Sequence, residues 1–263
     1  MRKIILPLMV VLTSAILIIS CKKAATVSEE QQIPQSVLSQ IAALGFSTNN
    51  VIPEEGGYIV EGDIFLDAAT LSSKPSSPRL VIATEEQYNT FNLVTGLPRT
   101  ITVSTSGSVN AAVSAAVDGA IARYNAQNLN LTFQRVASGG NINVKIVRNA
   151  QYIASAGFPS GGNPYNTISF NKRYETYSAG FLTTVLAHEM GHCIGFRHTD
   201  YMNRSYSCGT GGNEGQETSG VGAVHIPGTP TGPDAASWML ACLSATTDRP
   251  FNANDKTALN YLY

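Results

Sequence analysis

His188-Glu189-Met190-Gly191-His192-Cys193-Ile194-Gly195-Phe196-Arg197-His198 decides how this chain is read. The stretch holds three of the protein's four histidines. Residues four apart on a helix share a face, so His188 and His192 can grip one metal ion. His198 cannot join them on a continuing helix, because six more residues carry it about 9 Å along the axis and around the cylinder. The helix must therefore stop, and Gly195 stands where a left-handed turn is needed. Three neutral imidazoles with one open position describe a catalytic zinc site rather than a closed structural one. Glu189, next to the first ligand, is placed to act as a general base on water.

Upstream, Phe181-Leu182-Thr183-Thr184-Val185-Leu186-Ala187 is apolar enough to bury the back of that helix, and Ser178 is its candidate N-cap. A helix is also expected over Val109–Tyr124, where valine and isoleucine recur at helical spacing. Strands are expected at Ile101–Ser104, Leu131–Val136, Ile142–Val147 and Asn166–Asn171, and Tyr58–Leu66 reads as a strand interrupted by glycine. Ser36–Leu44 reads as a helix stopped by Gly45. Ser72-Ser73-Lys74-Pro75-Ser76-Ser77-Pro78 is the strongest linker signal in the chain. Beyond His198 the chain is glycine-rich to about Asp234, and a loop of that length is commonly functional. Asn254-Asp255 cap an amphipathic terminal helix. The order is that of an α+β domain with a twisted mixed sheet, two long helices and a C-terminal helix.

The chain opens Met1-Arg2-Lys3, runs apolar from Ile4 to Ile19, and reaches Ser20-Cys21, the pattern of a secretory signal over residues 1–20. Ile18-Ile19-Ser20-Cys21 resembles a bacterial lipobox, which makes Cys21 a lipidation candidate and the lipid the only membrane contact expected. Lys22 follows where an inner-membrane retention signal would have aspartate, which points to the outer membrane. Charged residues are 13% of the chain and the net charge is −1, with no basic run, so nucleic acid is not an expected partner. A monomer is expected. Export implies an oxidising compartment, and Cys208 and Cys242, both in loop-like stretches, are the expected disulfide pair. Cys193 lies on the metal helix and reads as a small buried hydrophobe.

The eleven-residue pattern resembles the signature of the metzincin clan of zinc endopeptidases. HEMGHCIGFRH is similar within it to the bacterial HEIGH-type, dual-action metallopeptidases, which are astacin-like. Ser237-Trp238-Met239 resembles the Met-turn beneath the three histidines, and Val60-Glu61-Gly62-Asp63 resembles the propeptide motif whose aspartate takes the open position on zinc. The resemblance implies a metzincin-like fold with an N-terminal pro-segment. It divides the chain into a signal peptide (1–20), a lipid-anchored tether and propeptide-like segment (21–98) and a catalytic domain (99–263). It implies Zn2+ on His188, His192 and His198, Glu189 as catalytic base, Met239 in the Met-turn, Asp63 as a zymogen ligand, and a protein or peptide substrate. That substrate is expected to lie extended along an edge strand at Asn166–Asn171, adding a strand by main-chain hydrogen bonds. The catalytic domain could be released by cutting near Ser72–Arg99. There are departures: Thr199 replaces the glutamate that astacins carry after the third histidine, Ala241 stands at their tyrosine-ligand position, and Val60 replaces phenylalanine.

His225 reads as a pocket-wall or core residue, since three histidines and water complete a tetrahedral site. Asp200 reads as a solvated or capping residue, or as an acceptor for a ligand histidine. Two rival classes stay open: a non-catalytic zinc-stabilised surface lipoprotein, which has no need of Glu189, and a zinc hydrolase of a non-protein amide or ester.

Overall fold

β-Branched alternation builds the centre of the sheet. In β5 (Arg99–Ser106), Ile101 and Val103 point inward and are fully buried, with Thr102 between them. In this computed structural model, which describes residues 32–73, 87–210, 213, 221–230 and 232–263, β5 lies between two parallel neighbours, β6 (Leu131–Arg135) and β7 (Ile142–Val147). Next to β7 runs parallel β9 (Thr167–Asn171), and then antiparallel β8 (Ala154–Ala156). Ile33–Tyr263 form a single unit. Met1–Gln32 form a second, and all of it but Gln32 lies outside the described residues, as do the expected leader and Cys21. The same holds for residues 74–86, where most of the expected linker falls. Among the described residues no helix is long and apolar enough to cross a membrane.

The sheet continues past β8 through β3 (Ile64–Asp67), β2 (Gly57–Val60) and β1 (Ile52–Glu54), giving eight strands in the order β1-β2-β3-β8-β9-β7-β5-β6. Two sequence expectations change here. Tyr58–Leu66 is no single interrupted strand: the chain reverses at Glu61-Gly62-Asp63, and β2 and β3 pair antiparallel from Val60↔Ile64 outward. Glu61 and Gly62 both take positive φ, +55° and +93°, which turns the chain within three residues. Asn166–Asn171 is also no edge, because β8 covers β9 and exchanges pairs such as Ser155↔Ser169 with it. Pairing with a three-residue strand left no signal in local sequence.

Helix α3 (Ala111–Asn125) starts where Asn110 accepts from the Val113 amide, and it buries Val113, Ala116, Val117, Ala120, Ile121 and Tyr124 on one face. Against it packs α4 (Ala179–Ile194), whose Ser178 hydroxyl accepts from the Phe181 amide as expected. From Phe181 to Ile194 every α4 residue except Thr183 is buried, so this helix runs through the interior. A second cluster joins Ile41 and Leu44, at the end of α1 (Gln35–Ala43), to Val60, Ile64 and Leu66 of the hairpin, to Leu71 of α2 (Ala68–Ser72), and to Phe158 and Val221. The N-terminal segment therefore shares its core with later parts of the chain.

The glycine-rich stretch after His198 holds a short helix, α5 (Ser205–Cys208), and β10 (Val224–His225), which pairs with β4 (Tyr88–Asn89). Helix α6 (Ala253–Leu262) is capped at Asn252, two residues before the expected Asn254. Asn252 and Asp255 form a reciprocal capping box there.

Candidate active site

Helix α4 ends at the point the third histidine requires. Gly195 adopts φ +113°, and its amide closes on the Gly191 and His192 carbonyls. A β-carbon on Gly195 would meet the Asn92 carbonyl and the Leu93 side chain, both at 2.8 Å. The chain that follows is held by the segment around β4: the Thr90 amide donates to the Gly195 carbonyl, and the Arg197 amide to the Tyr88 carbonyl. His198 is thereby returned to the face that carries His188 and His192.

The three Nε2 atoms converge. His192 Nε2 lies 3.0 Å from His188 Nε2 and 3.2 Å from His198 Nε2. Asp63 joins them from the β2–β3 turn, with Oδ2 3.3 Å from His198 Nε2 and 3.5 Å from His188 Nε2. Tetrahedral ligands about 2.05 Å from a zinc ion stand roughly 3.3 Å apart, so these separations fit the edges of one zinc tetrahedron with three nitrogens and one oxygen. Backbone carbonyls fix the ring orientations. His188 Nδ1 donates to the Trp238 carbonyl and His192 Nδ1 to the Phe196 carbonyl, both at 2.8 Å, which leaves each Nε2 lone pair directed at the shared centre. Burial, then the neighbouring His188 and His198, hold His192 well below its ordinary pKa, in the neutral form that binds metal.

Ser237-Trp238-Met239 lies directly beneath. Besides the bond from His188, the Met239 carbonyl accepts from the Thr199 amide at 2.9 Å, and Met239 is fully buried against α4. Asp200 is also fully buried. Its carboxylate accepts from the Ala241 amide at 3.0 Å and from the Ser207 hydroxyl at 2.6 Å, bracing the segment after His198 to the turn at Met239 rather than orienting a ligand ring. The Cys208–Cys242 disulfide closes the same region, and Cys193 is a buried free thiol. His225 bonds to Thr229 at 3.0 Å and packs against Tyr88, outside the cluster of His188, His192, His198 and Asp63.

Glu189 is 2% exposed, and its Oε2 has no hydrogen-bond partner among the described residues. Burial first, and the Asp63 charge second, push its pKa well up, with His198 acting the other way. Burial also pushes Asp63 up, but the neighbouring His198 and His188 outweigh it and hold Asp63 well below the usual range. Beside them opens a cavity of about 230 Å³ with an apolar wall of Tyr152, Ile153, Tyr174, Val185 and Leu243.

Sequence reasoning missed two residues at this site. Arg197, between Phe196 and His198, pairs with Glu61 at 3.4 Å, with both side chains fully buried. Arg204 donates to the Glu61 carbonyl. A charged residue within the metal motif was the available signal for Arg197, but its partner lies too far off in sequence for any spacing to show it.

No curated protein matches the chain. Among solved structures, two of myroilysin align at 17% identity with TM-scores of 0.45 and 0.40, covering 65% and 62% of this chain and 96% and 82% of theirs. High choriolytic enzyme 1, a hatching-enzyme zinc-protease from the medaka fish Oryzias latipes, aligns at 13% identity with a TM-score of 0.41, covering 62% of this chain and 88% of its own. The model of one family, the dual-action HEIGH metallo-peptidases, matches residues 60–263, a span that holds all three converging histidines, Glu189 and Asp63. The chain belongs to this family and is a zinc metallopeptidase.

Proposed function

We propose that the protein is an exported, lipid-anchored zinc endopeptidase made in a latent form, with Glu189 as its general base. The convergence of three histidine Nε2 atoms and one aspartate oxygen beside a buried glutamate carries this reading. His188, His192 and His198 are the metal ligands. Zinc held there would supply Lewis acidity for a scissile carbonyl and for water. Glu189 would take a proton from the attacking water and hand it to the leaving amine. Met239 and its neighbours hold the histidines from below.

The peptide adds to β8 rather than to β9. Antiparallel β8 borders the cavity through Ala154, and main-chain hydrogen bonds would align an extended substrate along it. The apolar cavity then receives a large apolar side chain next to the scissile bond. In the full chain β3 already occupies the outer edge of β8: Ile64 pairs with Ala156, and the Ala156 amide donates to the Asp63 carbonyl. The N-terminal segment thus excludes substrate twice, by taking the strand edge and by placing Asp63 on the histidines. Cutting between Ser73 and Gln87 would lift both blocks and separate the catalytic part from a lipid on Cys21. Anchoring rests on the apolar run Ile4–Ile19 followed by Ser20-Cys21.

The test is incubation of trimmed protein with a peptide library, with and without a chelator, and mass spectrometry of the products. Cleavage beside large apolar residues that disappears with chelator is expected. Glu189→Gln should keep its zinc and lose at least about a hundredfold in turnover. A library left intact by the trimmed protein would refute the endopeptidase reading, and unchanged turnover of Glu189→Gln would refute the base assignment.

A further inference from the structure

Four non-glycine residues in the described structure take positive φ: Asn50, Asn128, Asn149 and Glu61. Asparagine is enriched in that region and glutamate is not, so Glu61 stands out. A strained residue persists when its surroundings over-determine it. Here they do so from two sides. The Glu61 carboxylate pairs with Arg197 at 3.4 Å in full burial and also accepts from the Ser47 amide at 3.4 Å. Its carbonyl accepts from Arg204. Arg197 is gripped further within the same segment, its guanidinium 4.4 Å above the Phe46 ring, while its Nη1 donates to the Val221 carbonyl at 2.6 Å.

The two arginines flank His198 in sequence, and Asp63 lies two residues beyond Glu61. One residue of the pro-segment is therefore tied to both sides of the third histidine, next to the aspartate that reaches the histidine cluster. A buried ion pair often does no more than offset its own desolvation, so the contribution expected here is to geometry.

We propose that Glu61 is the positioning residue of the latent form: by its ion pair to Arg197 and its carbonyl bond from Arg204 it sets the Glu61-Gly62-Asp63 turn so that the Asp63 carboxylate lies on the histidine cluster. This rests on the latency reading above. It makes Glu61 a latch that acts through Asp63 and leaves with it when the segment is cut away.

The full uncut chain tests it, with cobalt substituted for zinc, because the visible spectrum of cobalt reports its donor set independently of activity. Wild type, Glu61→Gln and Asp63→Ala are compared, uncut and after trimming between Ser73 and Gln87. Uncut Glu61→Gln should show the spectrum of uncut Asp63→Ala, and its ratio of uncut to trimmed turnover should rise about tenfold over wild type. The double variant should be no more active than Asp63→Ala, and all trimmed forms should match. An uncut Glu61→Gln that melts like wild type and keeps the wild-type spectrum, while Asp63→Ala changes its own, overturns the latch and leaves latency standing. If Asp63→Ala leaves both the spectrum and the uncut turnover unchanged, the latency reading falls and the latch with it. Should Glu61→Gln fail to fold, Arg204→Gln, at a partly exposed site, cuts the second hold. A shift toward the Asp63→Ala spectrum supports the latch, and an unchanged spectrum overturns it.

Discussion

Met239 fills the space that a side chain on Gly191 would need: its Sδ lies 2.6 Å from where a β-carbon would stand, and Trp238 Nε1 lies 3.1 Å from the same point. Residue 191 is one position before His192 on a buried helix, so the turn carrying Met239 can approach the metal ligands only because nothing projects there. Glycine within a helix ordinarily costs about 1 kcal/mol relative to alanine. Here the preference should invert. Overpacking costs roughly 1–3 kcal/mol, so Gly191→Ala should lower stability and weaken zinc binding, because the displaced turn includes the carbonyl that orients His188. Urea titration and zinc competition with a chelator measure both effects. A Gly191→Ala protein more stable than wild type would refute the packing argument.

Zinc removal should soften the whole domain. Three buried imidazoles, with His192 Nε2 3.0 and 3.2 Å from those of His188 and His198, gain nothing from one another without a cation between them. Ligand bound only to the folded state adds about 2.7 kcal/mol at a hundredfold excess over its Kd, which corresponds to roughly 5–10 °C in a domain of this size. Differential scanning fluorimetry should show that drop with a chelator and its recovery with zinc. His198→Asn should show little of either, since it breaks the set of donors. A chelator-insensitive melting point in wild type would argue that the cluster binds no structural quantity of metal.

Reduction should act at the cavity wall. Cys208 and Cys242 are 34 residues apart in sequence, and closing a loop of that length contributes up to about 4 kcal/mol in the chain-entropy model. Cys242 also lines the cavity, and its amide donates to Ser207, which in turn donates to Asp200. The Cys208→Ser/Cys242→Ser protein should therefore lose stability and raise KM for peptides that fill the cavity, with a smaller effect on kcat. Wild type in reductant should behave likewise. A loss in kcat alone would place the disulfide's influence elsewhere.

The metal centre was legible because its chemistry is local: eleven consecutive residues set the ligand spacing, the helix stop at Gly195 and the neighbouring acid. Helices α3 and α4 were legible for the same reason, through apolar spacing and, for α4, the cap at Ser178. What failed was pairing between distant segments. Strand β8 is three residues long, too short to show alternation, yet its partnership with β9 takes β9 away from the edge of the sheet. Glu61 and Arg197 are far apart in sequence, and neither residue type announces an ion pair that folding will bury. The turn at Glu61 was hidden because the chain there departs from local preference, with a glutamate in a conformation that suits glycine or asparagine.

Asp255 gives the fold a pH dependence that can be isolated. Its carboxylate accepts from the Asn252 and Trp238 amides and from Gln87 Nε2, tying helix α6 to the turn that carries Met239. Burial pushes its pKa up from 3.8 to about 6, although hydrogen bonds from Asn252, Ser237 and Trp238 pull the other way. Between those two values the folded chain holds a proton that the unfolded chain has lost. The group's contribution to stability is therefore greatest below about pH 4 and declines as pH rises toward 6. A shift of that size corresponds to about 3 kcal/mol in total. Asp255→Asn carries no such proton. Urea denaturation of both proteins without metal, from pH 4 to 7.5, should show wild type losing stability relative to the variant across pH 4–6 and running parallel above it. A gap between the two curves that stays constant with pH would mean that Asp255 is ionised in the fold throughout, its three donors outweighing its burial.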